Sequence, residues 1–222
     1  MKIGVLIPIY NEAKTVGRLF ESVRRQGFDV VVIDDGSTDP SGKMAKDQGA
    51  LVIRNEQRSG KGAALRRGFD YFVGKNYEGV IMMDGDGQHA VEDLPKFLEA
   101  AKKNKECLIV GNRMGDPCGM PRIRLWTNQF MSAVVSAICR QEIPDTQCGF
   151  RYISTNILRN IKLTRDDFEI ETELLIKASK KGYKVYSVGI QTIYEDEVSH
   201  VHPWKDTVRF FSYLIKELFS KE

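Results

Sequence analysis

Asp84-Gly85-Asp86 is the sharpest chemical signal in the chain. In extended backbone, residues i and i+2 face the same way, so both carboxylates can converge on one ion, and Gln88 continues the alternation. Carboxylate and amide oxygens suit hard cations such as Mg²⁺ or Mn²⁺, which also hold a diphosphate. The intervening glycines keep side-chain bulk off an approaching ligand. An EF-hand loop opens similarly, but His89 stands where it needs Gly and Pro95 where it needs Glu.

Other candidates share the placement of this pair, directly after an apolar run. Pro8-Ile9-Tyr10-Asn11-Glu12 follows the first run and Asp34-Asp35-Gly36-Ser37 the second. In an open parallel sheet, ligands bind beyond the carboxyl ends of the strands, so three such ends would bring polar residues to one rim. Gly60-Lys61-Gly62 opens a helical stretch, where amides and a lysine could meet an anion. It is not a Walker A loop, since Asn55 and Gly62 stand where Gly and Ser or Thr are needed, and Leu65 breaks a dinucleotide fingerprint. Arg113, Arg122 and Arg124 come later and could grip phosphate. Asp145 reads as a turn residue or a site acid. His200 and His202 lack a third ligand, and no Gly-x-Ser-x-Gly elbow marks a serine hydrolase.

Periodicity supplies the elements that must position these groups. Strands are expected at Ile3–Ile9, Val30–Ile33, Ala50–Arg54, Val80–Met83 and Leu108–Gly111. Helices alternate with them at Ala13–Arg25, Ser41–Asp47, Gly62–Val73 and Val91–Lys102. Continuous apolar strands separated by helices predict an α/β fold, a mostly parallel sheet with helices on both faces. Beyond it the pattern predicts a helix over Arg122–Cys139, a strand over Thr146–Ile153, a helix over Glu169–Lys181, a strand over Lys184–Ile193 and a last amphipathic helix over Trp204–Phe219.

The chain has 222 residues, 42% hydrophobic and 28% charged, a globular composition. Its 33 basic residues exceed its 30 acidic ones by three, too little to coat nucleic acid. Cys107, Cys118, Cys139 and Cys148 form no C-x-x-C pair, which argues against zinc. No run reaches 18 apolar residues, and the opening apolar run is too short for a signal peptide. The expected compartment is the reducing cytoplasm.

Taken in order, Pro8–Glu12, Val32–Asp39, Gly60–Ala64 and Met83–His89 resemble the motifs of inverting family-two glycosyltransferases with the GT-A fold. Gly111-Asn112-Arg113, the Asp145–Arg151 segment and Phe168–Leu174 resemble, within that family, the dolichyl- and polyprenyl-phosphate mannose or glucose synthases. The resemblance implies one glycosyltransferase domain over 1–222, with a Rossmann-like nucleotide-sugar-binding half (1–115) and an acceptor half (116–222). Pro8, Tyr10, Glu12 and Asp35 would line the base and ribose pocket of a GDP- or UDP-linked sugar, with Lys61 nearby. Asp84, Asp86 and Gln88 would hold Mg²⁺ or Mn²⁺ on the donor diphosphate. Arg113 and Arg124 would receive a lipid phosphate acceptor, and Asp145 would sit by the reacting centre. The chain departs from its relatives at Glu197-Val198-Ser199-His200, where many carry Gly-Glu-Ser-Lys, and at Tyr194, where an arginine is common.

A phosphate acceptor needs no general base, whereas a saccharide or other hydroxyl acceptor would need one, with Asp145 the first choice. A nucleotidyltransferase would want a lysine-bearing glycine loop directly after the first strand. A non-catalytic nucleotide-sugar-binding module would have no need of both Asp84 and Asp86. Peripheral contact with the cytoplasmic membrane face is expected, from Trp204, Val208, Phe211 and Ile215 of the last helix or from the apolar stretch Phe130–Cys139.

Overall fold

The structure, a computed structural model, describes residues 1–117, 119–193, 210 and 212–214. Seven strands form one sheet: β1 (Ile3–Ile9), β2 (Asp29–Asp34), β3 (Leu51–Arg54), β4 (Gly79–Met82), β5 (Leu108–Asn112), β6 (Arg151–Ser154) and β7 (Val185–Gly189). Their order is β3-β2-β1-β4-β6-β5-β7. β1 runs parallel to β2 and β4, β2 to β3, and β5 to β7, while β6 is antiparallel to both β4 and β5. β1, β2 and β4 read as continuous apolar runs because the sheet centre is covered on both faces. Val5, Leu6, Ile7, Val32, Ile33, Val80 and Ile81 are without appreciable exposure.

Crossover helices supply that cover. They are α1 (Val16–Arg25), α2 (Ser41–Asp47), α3 (Lys61–Gly74) and α4 (Leu94–Lys103). In α1 the buried residues Val16, Leu19, Phe20 and Val23 recur at the spacing of one helical face. α1 starts at Val16 rather than the expected Ala13, after a turn in which the Glu12 carbonyl accepts the Thr15 and Val16 amides, both at 3.1 Å. Packing against Leu6 leaves no room for a side chain at Gly68 of α3, which draws that helix tight onto β1.

The second half contains α5 (Arg122–Cys139), α6 (Thr155–Asn160) and α7 (Glu169–Lys180). α6 escaped the sequence pattern because its six residues are too few to show a period; Ser154 caps it by accepting the Asn156 amide at 3.3 Å. The strand expected from Thr146 begins only at Arg151. Cys148, Gly149 and Phe150 are buried, as strand residues would be, but they belong to a loop whose polar groups are met by side chains. Ser132 Oγ accepts the Thr146 amide at 2.9 Å, and the Arg151 guanidinium donates to the carbonyls of Thr146 (2.8 Å) and Cys148 (2.7 Å).

This antiparallel insertion has a geometric consequence. The parallel strands β1, β2, β4 and β5 deliver their carboxyl-terminal loops to one rim, and reversed β6 delivers its preceding loop, residues 145–150, to the same rim. The expected last helix lies mostly outside the described residues, as do Cys118, Tyr194, residues 197–200 and His202. Its described part is helical and buries Phe210, Tyr213 and Leu214.

Arg151 is the largest fully buried side chain among the described residues. Besides those two carbonyls it donates to the Glu171 carbonyl (2.7 Å) and to Glu171 Oε2 (3.1 Å), so it ties the rim loop to α7. Removing one partner of a buried pair strands the other, at a cost of about 3–5 kcal/mol. Arg151→Met should lower the unfolding free energy by about that amount in urea titration; a loss below about 1 kcal/mol would contradict this account of the network.

Candidate active site

The rim begins with two loops stitched to each other. Asn11 takes a left-handed conformation (φ 58°), and its side-chain oxygen accepts the Thr38 and Asp39 amides at 2.8 and 3.3 Å. Ser37 Oγ accepts the Asn11 amide (3.0 Å), Ser41 Oγ the Glu12 amide (2.8 Å) and Asp39 the Ala13 amide (3.1 Å). The Pro8–Glu12 and Asp34–Asp39 motifs therefore form one cradle, with Pro8, Tyr10 and Glu12 partly exposed along it. The Arg58 guanidinium lies over the Tyr10 ring, 4.2 Å from its centroid.

Asp35 is buried and committed to the loop before α3. Its oxygens accept the Asn55 side-chain amide (2.7 Å) and the backbone amides of Ser59 and Gly60 (both 2.9 Å). Asp34 serves the layer beneath, accepting the Ser37 amide and pairing with Arg54. The turn that Asp35 fixes contains Gly60, at φ 97°, and presents Lys61 at the first position of α3.

Lys61 connects the halves of the site. Its ammonium lies 2.6 Å from Asp84 Oδ1 and 2.6 Å from Glu171 Oε1. His89 Nε2 stands 3.3 Å from the other Asp84 oxygen. Burial by itself would lower the Lys61 pKa, but Asp84 and Glu171 outweigh it and hold the ammonium above its usual value. Burial likewise works to raise Asp84, and Lys61 and His89 overcome it, keeping this carboxyl well below the ordinary range. Asp86 has the opposite balance: burial first, then repulsion by Asp84, push its carboxyl up. One Asp86 oxygen accepts the Gln88 amide at 2.9 Å.

The helix-end anion site expected at Gly60-Lys61-Gly62 is not available. The Gly62 and Ala63 amides donate to the Asp166 carbonyl at 2.7 and 3.1 Å. A side chain at Gly60 or Gly62 would collide with residues 165–167. These glycines serve as a seam along which the loop before α7 packs onto α3.

Arg113 and Asp145 face each other. Arg113 Nε donates to Asp145 Oδ2 (2.7 Å) and its terminal nitrogen to Oδ1 (2.9 Å), a buried two-pronged pair. The Arg113 backbone amide donates to the same carboxylate at 3.2 Å. Arg124 is exposed on the first turn of α5, and Ser132, two turns on, holds α5 against Thr146. Cys107, Cys139 and Cys148 are buried, and burial raises the Cys148 thiol to about 12.

Glu171, Arg151, His89 and Gly149 join the site without a role having been read for them from sequence. Glu171 lay in plain view within Phe168–Leu174, two residues before Glu173. Glu173 turns the other way and accepts the Thr164 and Arg165 amides, fixing the loop that carries α7 to the seam.

A sheet of this order with an oxygen-rich rim at its strand ends is that of a GT-A glycosyltransferase. The glycosyl transferase family 2 profile matches residues 4–162, and the chain belongs to that family. It is 34% identical over 185 residues to glycosyltransferase AglJ of Haloferax volcanii, covering 82% of this chain and 60% of that protein. It is 30% identical to polyprenol monophosphomannose synthase of Mycolicibacterium smegmatis, over 84% of this chain and 75% of that one. Among solved structures, glucosyl-3-phosphoglycerate synthase from Mycobacterium tuberculosis, bound to Mn²⁺, UDP and phosphoglyceric acid, superposes with a TM-score of 0.74. That likeness covers 98% of this chain and 77% of the other at 20% identity, and it is one of fold.

A Cβ added at Gly149 would overlap the Asp84 carboxylate, whereas one at Gly115 would meet nothing within 4 Å. Overpacking of this kind costs about 1–3 kcal/mol. Gly149→Ala should therefore lower stability by about that much while Gly115→Ala stays within about 0.5 kcal/mol of the parent in the same urea titration. Equal effects would show that Asp84 is not confined by Gly149.

Proposed function

We propose that the protein transfers a hexosyl group from a GDP- or UDP-linked sugar to a polyprenyl or dolichyl phosphate, with inversion at the anomeric carbon. The Arg113–Asp145 pair carries the acceptor reading. A hydroxyl acceptor must give its proton to a base, and both oxygens of Asp145 are committed to Arg113. A phosphate is already ionised and needs no base. Relatives named as mannose transferases to polyprenol or dolichol phosphate support the acceptor reading: the M. smegmatis synthase, and dolichol-phosphate mannosyltransferase of Pyrococcus furiosus, 30% identical over 86% of this chain and 57% of that one.

Asp84 and Asp86, with Gln88, are the residues we assign to Mg²⁺ or Mn²⁺. The donor set fits: such ions take one or two protein carboxylates and leave other positions to phosphate oxygens. No cluster of three or more acidic, His or Cys ligands exists among the described residues. Bound there, the ion would neutralise charge on the leaving diphosphate. Lys61, beside Asp84, supplies a second positive group to the same oxygens as the anomeric bond breaks. Pro8, Tyr10 and Glu12 line the base and ribose pocket, and Asp35 shapes its far wall through residues 55–60. Arg113, oriented by Asp145, and Arg124 receive the acceptor phosphate.

The lipid acceptor also fits α5. Ile123, Trp126 and Phe130 are 85%, 74% and 59% exposed and follow one another along a single face. Arg122 and Arg124 flank this face on the first turn of the helix, a pattern suited to an anionic membrane surface. None of the helices among the described residues is long and apolar enough to cross a membrane; the contact we propose is a peripheral one made by this face.

Transfer from radiolabelled GDP- and UDP-sugars to polyprenyl phosphate, with polyprenol as the unphosphorylated control, tests the reaction. Label should reach the phosphate alone; label on the alcohol would favour a hydroxyl acceptor with Asp145 as base. A charge-assisted bond is worth about 1.5–3 kcal/mol, so Arg124→Ala should weaken acceptor use roughly 10- to 150-fold and leave donor affinity unchanged. Burying a large apolar side chain is worth about 1.5–3 kcal/mol. Trp126→Glu should accordingly cut flotation with anionic vesicles at least ~10-fold; undiminished flotation would move the membrane contact elsewhere.

A further inference from the structure

We propose that Glu171 is a positioning residue for sugar transfer: it keeps the Lys61 ammonium at the donor rim, and Arg151 keeps Glu171 there. Lys61 sits between Asp84 and Glu171 at 2.6 Å from each. A lysine held by one carboxylate alone, on a flexible four-carbon stem, is free to swing once that carboxylate turns to another cation. Glu171 removes this freedom, because its second oxygen is bound by Arg151, which has no exposed surface. Arg151 spends further donors on the carbonyls of residues 146, 148 and 171. α7 is anchored as well, by the Asp166 carbonyl on the first amides of α3 and by Glu173 on residues 164 and 165. The Phe168 ring, 5.3 Å from the Lys61 nitrogen, bounds it on a further side.

The charges make the arrangement self-consistent. Asp84, Glu171, Lys61 and Arg151 sum to zero in a place where an unpaired charge would be expensive. Glu171 can thus retain Lys61 whether or not Asp84 is otherwise engaged. The proposal rests on the nucleotide-sugar part of the function above and holds for any acceptor.

Calorimetric titration of the full chain with UDP and with GDP, each with Mg²⁺, tests it. The proteins are the parent, Lys61→Met, Glu171→Gln and the double variant. Each single change should weaken whichever nucleotide the parent binds by about tenfold or more, the scale of one charge-assisted bond. The double variant should be no weaker than Lys61→Met, because Glu171 acts through Lys61. Glu171→Asp keeps a negative charge beside Arg151 but draws the carboxylate back by one methylene from Lys61 and Arg151 alike. It should show the same loss of affinity while staying folded, with a smaller drop in urea midpoint than Glu171→Gln, and it decides the matter if Glu171→Gln does not fold. Parental affinity in Glu171→Asp, or losses that add in the double variant, would overturn the proposal while leaving the donor reading intact. A parent protein that binds neither nucleotide would overturn the donor reading and this proposal with it.

Discussion

One ammonium shared between two carboxylates joins the elements that form the candidate site. Asp84 comes from the loop after β4, Glu171 from the first turn of α7, and Lys61 from the first turn of α3. Each of the three is held in place by further residues. Asp35 fixes the turn ahead of Lys61, His89 and Gly149 confine Asp84, and Arg151 fixes Glu171. Taking four charges from water is unfavourable unless every one is paired and hydrogen-bonded. The folded chain meets that condition only when strand ends, seam and α7 are in place together.

Backbone proximity makes this meeting possible. The distance from Lys61 to Glu171 is set by how closely the loop of residues 165–167 approaches the start of α3. That approach requires the missing side chains of Gly60 and Gly62. The Asp166 carbonyl then takes up amides that a helix start would otherwise leave unmet. A motif that resembles a phosphate loop in composition thus works as a packing surface, and its lysine is the only part aimed at the site. Antiparallel β6 acts in the same sense, since reversing one strand brings Asp145, Gly149 and Arg151 to the rim made by the parallel strands.

These facts mark where sequence reasoning reaches and where it stops. β1, α2 and α5 fall on the expected boundaries, and β1 does so because it is a long apolar run between polar residues. The polar residues after β1, β2 and β4 could be picked out because a parallel sheet presents its strand ends on one side. Local patterning does not distinguish a buried loop from a strand, which is why Thr146–Phe150 was expected to be extended. It is equally silent on pairing between distant residues. Glu171 is 110 residues from Lys61 in sequence and 20 from Arg151, and nothing in its immediate neighbours separates it from Glu173, whose role is structural. Arg113 and Asp145 each looked suited to meeting substrate, and 32 residues of separation hid that they meet each other.

Asp84 and Asp86 lie two residues apart on one loop, yet their electrostatic states are opposite. Asp84 has Lys61 and His89 against its oxygens and is held firmly ionised; Asp86 has a backbone amide and a repelling neighbour, and its carboxyl is pushed up. Asp86, the outer member of the pair, therefore holds its negative charge less readily than Asp84 does. On the proposed reading Asp84 would exchange Lys61 for the metal ion, one positive partner replacing another. Lys61 in turn loses one of two carboxylates and keeps the one that Arg151 anchors. On the proposed reading, a diphosphate arriving at this rim meets a lysine already desolvated and oriented, which is the condition under which an electrostatic contact counts most toward the leaving group.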